Sequence, residues 1–175
     1  MRTVFAISLL ALGIASVGCK KGVTVTHPAF PGTVDGAKAL LAEYVKPGAD
    51  VVALSKTLRS DPGDYAAVFN EGAATKIQKV MDTAWNSGGI LVKTAKPTQT
   101  EVIVFSATTD ELKAGSPNCP GGYKDVAGEM KSGLTVYCFK FVEPGSKTGS
   151  AYDGLMFVNG HWTIIPKPWF ALKTP

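Results

Sequence analysis

The sequence predicts an α+β domain in which N-terminal helices pack on a curved antiparallel sheet formed mainly by the C-terminal half. Three observations support this fold class. Apolar residues recur at three- and four-residue spacing before residue 90, short β-branched runs follow it, and an Asn-Gly pair separates two of these runs. Because the helices come first and the strands afterwards, the order favours a helical layer on one side of the sheet.

Four amphipathic segments with clear ends make up the helical half. We predict helices that begin at Asp35, Asp50, Asp61-Pro62 and Glu71. Aspartate is a good N-cap, and proline suits the first position of a helix. Pro47-Gly48 ends the first segment, and Gly88-Gly89 ends the fourth. The helical spacing alone explains an aromatic stripe, which we therefore assign to the core: Tyr65, Phe69 and Trp85.

The second half carries the shorter runs that are typical of strands. We predict strands at residues 90–93, 101–105, 134–142 and 152–158. One helical turn is predicted at 110–114, and the Pro- and Gly-rich stretch 116–123 is predicted to be a loop. The run 134–142 has apolar side chains on both faces, which is typical of a central strand that is covered on both sides.

Asn159-Gly160 is the sharpest local signal, because this pair favours a two-residue hairpin turn with positive φ at both positions. The turn sets Val158 opposite His161. One face then carries the pairs Phe157 with Trp162 and Leu155 with Ile164, and the other carries Met156 with Thr163. We predict that the first face is the core side and that His161 is an ordinary surface residue on the opposite face.

The first 18 residues differ from the rest of the chain, with Arg2 followed by an uncharged apolar run at 4–17. The run is shorter than the roughly 20 residues that a membrane-spanning helix needs, so residues 1–18 are predicted to be a signal peptide. Small residues at Ser16 and Gly18 also suit ordinary signal peptidase, which would cut the same bond before Cys19.

Gly18-Cys19 resembles the lipobox of bacterial lipoproteins, although Ser16 stands where that family usually carries leucine. The resemblance implies a diacylglyceryl thioether on Cys19 and attachment to the lipid bilayer through it. It also implies a place in the bacterial cell envelope. Lys20, in place of an aspartate, favours the outer membrane facing the periplasm over the inner membrane. The predicted organisation is a signal peptide at 1–18, a lipid-anchored flexible tether at 19–34 and a single globular domain at 35–175.

With Cys19 lipidated, Cys119 and Cys138 form an even pair, and export favours a disulfide between them. Two buried thiols or a metal pair are the alternatives. The sequence has no second Cys pair and no nearby His cluster, so we expect no metal site. Nucleic acid is not expected as a partner either, because the lysines are scattered and Arg59 is the only arginine after the signal peptide.

The element order and the closing hairpin, with Asp153-Gly154, Asn159-Gly160 and Trp162, resemble the cone-shaped nuclear-transport-factor-two-like, or cystatin-like, families. The same ending is similar to uncharacterised bacterial envelope lipoproteins. The cone resemblance implies an acid/base site at the open end of the sheet, for which the chain offers these candidates: His161, Asp153, Asp125 and Tyr137.

The sequence lacks the motifs His-Glu-x-x-His, Cys-x-x-Cys, Gly-x-Ser-x-Gly and Gly-x-Gly-x-x-Gly, so we expect no cofactor and assign no catalytic residue. The leading hypothesis is an envelope lipoprotein that binds a partner protein or a small ligand without catalysis. The alternatives are a cone-fold enzyme of the cyclase or isomerase type and a structural or inhibitory surface protein.

Overall fold

The computed structural model describes residues 30–173, so the predicted signal peptide, the lipidation candidate Cys19 and most of the predicted tether lie outside the described residues. The helices are α1 (Val34–Ala42), α2 (Val51–Thr57), α3 (Pro62–Val68), α4 (Glu71–Asn86), α5 (Thr109–Ala114), α6 (Tyr123–Val126) and α7 (Trp169–Lys173). The strands are β1 (Glu101–Thr108), β2 (Thr135–Val142), β3 (Gly149–Val158) and β4 (His161–Ile164). The α+β class is confirmed.

The four predicted N-terminal helices are present as α1 to α4, and their ends have the expected chemistry. The side chain of Asp50 accepts a hydrogen bond from the amide of Ala53 at 2.9 Å, which caps α2. Asp61 and Asp64 form a reciprocal capping box at the start of α3, with Pro62 at the first helical position. These local signals therefore place α2 and α3 correctly, whereas α1 begins at Val34 and is capped by Thr33 rather than by Asp35.

The strands form one antiparallel sheet in the order β1-β2-β3-β4. The predicted hairpin register is confirmed, since Val158 pairs with His161, Phe157 with Trp162 and Leu155 with Ile164. Asn159 and Gly160 both have positive φ, at 51° and 81°. The turn therefore determines which side chains of β3 and β4 share a face.

The predicted strand at 90–93 is wrong, because this segment pairs with no strand in the described part of the chain. Its backbone is held by hydroxyl groups instead. The amide of Val92 donates to Oγ of Ser55 at 3.1 Å, and the carbonyl of Lys93 accepts from the hydroxyl of Tyr152 at 2.7 Å. A short apolar run was insufficient to distinguish a strand from a buried connection.

Helices cover both faces of the sheet, which corrects the expectation of a helical layer on one side only. One core cluster joins the face of Val136 and Cys138 to α3, α4, α5, α6 and α7. A second cluster joins the face of Tyr137 and Phe139 to α1, to Leu58 at the end of α2 and to the connection at Val92. Because β2 is apolar on both sides, burying it requires a layer on each face.

Residues 30–33, assigned to the tether from the sequence, pack on the domain. The indole Nε1 of Trp162 donates a hydrogen bond to the carbonyl of Phe30 at 2.9 Å, and the hydroxyl of Tyr137 donates to the carbonyl of Gly32 at 3.1 Å. The packed part of the chain therefore includes residues 30–33, ahead of α1.

A β-bulge interrupts the pairing of β3 with β2. Tyr137 lies opposite Leu155 but Phe139 lies opposite Tyr152, so β3 has one extra residue at Asp153-Gly154. Gly154 has a φ of 82°, and a Cβ atom there would collide with the carbonyl oxygen of Ile165. Glycine is therefore required at this position, and the bulge directs the side chain of Asp153 towards α6.

Candidate functional site

The bulge places the carboxyl group of Asp153 in the interior, where the residue is only 4% exposed. Oδ1 accepts hydrogen bonds from the hydroxyl of Tyr123 at 3.1 Å and from the backbone amide of Lys167 at 2.8 Å. Both donors are neutral and both bonds go to the same oxygen. Oδ2 therefore remains the oxygen with acceptor capacity for a further group.

Burial raises the pKa of Asp153 above its usual value, since desolvation penalises the carboxylate. The hydrogen bonds from Lys167 and Tyr123, and the weaker influence of the Lys167 charge, lower this pKa without cancelling the effect of burial. Burial and the adjacent Asp153 together hold the pKa of Tyr123 well above its usual value, so its hydroxyl stays a proton donor. The site thus combines a carboxyl group whose burial disfavours ionisation, on Asp153, with a hydroxyl group that stays protonated, on Tyr123.

Two open cavities both border Asp153. They have volumes of about 470 Å³ and 360 Å³ and share Ala151, Tyr152, Asp153 and Lys167 in their walls. The first is bounded by the 117–120 loop, Phe105 and Lys140. The second is mainly aliphatic, with Val80 and Leu91 in its wall beside Phe170. Among the described residues, two of the three exposed large apolar side chains, Val80 and Phe170, lie at this second cavity.

Lys167 adopts a left-handed backbone conformation with a φ of 49°, which is unusual for a residue other than glycine. Its amide is the donor to Asp153, and Lys167 borders both cavities. Strained backbone conformations cluster at functional sites. The left-handed backbone of Lys167 is therefore a further feature that marks this site.

Cys119 and Cys138 are joined by a disulfide with a Cα–Cα distance of 5.6 Å, so the predicted pair is confirmed in the structure. The bond ties the loop before α6 to the centre of β2. Both cysteines also line the first cavity. The disulfide therefore holds one wall of the cavity against the sheet.

His161 lies at a different place, beside the hairpin turn. Its Nε2 lies 3.0 Å from Oδ2 of Asp64, whose carboxylate is fully buried. The same carboxylate accepts hydrogen bonds from the side-chain amide of Asn159 at 2.9 Å and from the amide of Asp61 at 2.9 Å. His161 is therefore not the ordinary surface residue that its turn position predicts. It joins the hairpin to the capping box of α3.

Asp61, Asp64 and His161 are also a group of side chains whose ligand atoms lie close enough to hold a metal ion, within 4.8 Å of one another. Both oxygens of Asp64 already accept hydrogen bonds from the turn and from the cap. These contacts explain the cluster as a structural junction. The expectation that the protein has no metal site remains a prediction.

The other two acid/base candidates are also dispersed. Asp125 forms an ion pair with Lys173 at 3.0 Å on the surface, and the hydroxyl of Tyr137 bonds the carbonyl of Gly32 beyond the opposite face of the sheet. Asp153 and Val158, the partner of His161, are five positions apart on β3, which is roughly 16 Å along a strand. The fold does not bring the four candidates together.

Sequence reasoning did not identify Tyr123 or Lys167 as partners of Asp153. An Asp-Gly pair inside an apolar strand was the available signal, since it indicates a bulge that redirects a side chain. No protein-family model, curated protein or solved structure matches the chain. The resemblances to bacterial lipoproteins and to the cone-shaped fold therefore remain predictions.

Proposed function

We propose that this protein is a lipid-anchored envelope lipoprotein whose domain binds a small cationic amine with an apolar tail, without catalysing a reaction. The observation that carries the proposal is the buried carboxyl of Asp153, a residue that borders two cavities. Dispersal of the acid/base candidates supports binding over the cyclase or isomerase alternative.

The chemistry of the site determines the class of ligand. The carboxyl of Asp153 accepts hydrogen bonds only from neutral donors, and the charge of Lys167 does not cancel the effect of burial. A cation at the remaining oxygen would offset part of the cost of burial. An ammonium group supplies both the positive charge and the N–H donors. The aliphatic wall at Val80 and Leu91 suits an apolar tail.

The binding test uses n-hexylammonium as the probe and n-hexanol as its uncharged match. We expect the ammonium compound to shift the backbone amide resonance of Lys167 in a saturable way, because this amide bonds Asp153. Asp153→Asn removes the charge but retains an oxygen for both donors, so it should abolish the shift. Asp125→Asn, which alters an exposed carboxylate, is the matched control and should bind as the parent does.

An amine that leaves the Lys167 resonance unchanged in the parent overturns the proposed ligand class. Equal binding by the parent and Asp153→Asn also overturns it, because the charge of Asp153 then contributes nothing. The raised pKa of Asp153 adds a pH criterion. Affinity for the ammonium probe should fall as the pH is lowered through that pKa, since a protonated carboxyl no longer attracts a cation.

The envelope location rests on Gly18-Cys19 and the apolar run before it. None of the helices within residues 30–173 is long and apolar enough to cross a membrane. We propose that Cys19 is the lipid attachment point, with the domain facing the periplasm from the outer membrane. In cell fractionation, the parent should pellet with membranes and Cys19→Ala should be released. Equal pelleting of the two proteins contradicts the anchor.

A further inference from the structure

β1 is an edge strand. The sheet order places β2 on one side of it, and within residues 30–173 no strand pairs with its other side. Natural proteins usually protect such an edge with charge, proline or a bulge. β1 has the sequence EVIVFSAT, with one charged residue at its first position and no proline. Beyond Glu101, β1 therefore carries none of these three devices.

The direction of the backbone groups along β1 follows from the ladder with β2. The amide of Thr109 donates to the carbonyl of Leu134 at 3.0 Å, directly after the pair Thr108 and Thr135. Antiparallel pairs alternate between hydrogen-bonded and non-hydrogen-bonded, so the odd-numbered residues of β1 bond β2. The even-numbered residues direct their N–H and C=O groups outwards.

Only part of this outward edge is already satisfied. The side chain of Asn118 donates to the carbonyl of Ser106 at 3.0 Å and so caps one end. The outward groups of Val102 and Val104 remain between that cap and Glu101. The side chains of residues 102–105 are all apolar and only partly buried. A neighbouring strand would satisfy the backbone and cover these side chains together.

We propose that β1 pairs with β1 of a second copy of this chain, antiparallel and about a two-fold axis at Ile103. This register pairs Val102 with Val104 of the second copy, and the reverse, so both outward residues are hydrogen-bonded. Moving the axis to Val104 would pair Val102 with Ser106, whose carbonyl is already bonded to Asn118. The existing cap therefore favours the axis at Ile103 over one at Val104, and the two sheets join into one.

Charge complementarity supports a second copy as the occupant. In this register Glu101 lies opposite Phe105 of the second copy. The ammonium group of Lys140 lies 5.7 Å from the centre of its own Phe105 ring, on the same face of the sheet. Glu101 is exposed, and its carboxylate accepts one long hydrogen bond of 3.4 Å from the amide of Gly145. Glu101 of each copy thus lies towards Lys140 of the other, and the two-fold axis gives two such contacts.

Sedimentation velocity of the mature chain, residues 19–175 with Cys19→Ala to exclude association through lipid, tests the dimer from about 1 to about 100 μM. We expect a dimer. Glu101→Lys should weaken it about tenfold or more, because both contacts become repulsive. The double variant Glu101→Lys with Lys140→Glu should restore it. A monomeric parent, or a double variant as weak as the single one, overturns the proposal.

A covalent test fixes the register. Ile103→Cys places two thiols opposite each other in a non-hydrogen-bonded pair, where Cα atoms lie about 4.5 Å apart and a disulfide forms readily. In the same background, mild oxidation should give a covalent dimer. Val52→Cys, at an exposed position on α2, is the matched control and should stay monomeric on a non-reducing gel. Equal cross-linking of the two variants, or none in Ile103→Cys, contradicts this interface.

Discussion

His161→Ala removes one of the three hydrogen-bond donors that face the carboxylate of Asp64. Asp64 is fully buried, and its Oδ2 then keeps only the amide of Asp61 as a hydrogen-bond donor. A hydrogen bond to a charged group contributes about 1.5–3 kcal/mol to stability. The His161 side chain is 42% exposed, and water entering in its place recovers part of that loss. We therefore expect the free energy of unfolding to fall by about 1–2 kcal/mol.

Urea denaturation at pH 7 measures this loss as a lower midpoint with an unchanged slope. His161→Gln is the matched variant, because its side-chain amide supplies an N–H donor from a similar distance, and it should retain most of the stability. Asn159→Ala, which removes a neighbouring donor to Asp64, should also lower the midpoint. A midpoint for His161→Ala equal to that of the parent would refute the reasoning, since Asp64 would then be satisfied without the imidazole.

Four further changes test the core, the disulfide, the bulge and the buried acid. Trp162→Ala should lower the free energy of unfolding by about 3–5 kcal/mol, measured by urea denaturation, because Trp162 is 6% exposed. Reduction should add about 2 Da to the mature protein, and removing Cys119 and Cys138 together should lower stability by about 3 kcal/mol, since the pair closes a loop of 19 residues. Gly154→Ala should lower the urea midpoint, because φ is 82° there and a Cβ atom meets a backbone carbonyl. Asp153→Asn should raise the midpoint at neutral pH, and the gain should shrink as the pH falls through the raised pKa, because the protonated acid no longer opposes folding.

The caps of α2 and α3 and the hairpin turn were predictable because each depends on residues within a few positions of one another. Asp50 and Asp61 bond amides three residues away, and Asn159-Gly160 sets the register through its own backbone angles. Such interactions form wherever the local sequence allows them. The signal for the segment 90–93 was equally local, but hydroxyl groups from two other elements decide its backbone bonding.

The candidate site was less accessible to sequence reasoning because its parts come from distant segments. Asp153, Tyr123 and Lys167 meet only when α6, β3 and the chain after β4 pack together. His161 illustrates the same limit, since a position beside a turn predicts solvent exposure, whereas its partner Asp64 arrives from α3. Charge, spacing and periodicity describe what one segment can do, and they do not specify which segment lies across from it.

Local signals were sufficient to predict the α+β class, the four N-terminal helices, the register of the last hairpin and the pairing of Cys119 with Cys138. Packing of the elements was needed to show that helices cover both faces of the sheet, that the bulge buries Asp153 where two cavities border it, and that no strand pairs with the outer edge of β1 within the described residues. The difference lies in how far apart along the chain the interacting residues are. Hydrogen bonds within a turn or cap are encoded by adjacent residues, whereas burial and edge exposure depend on how all the layers share one core.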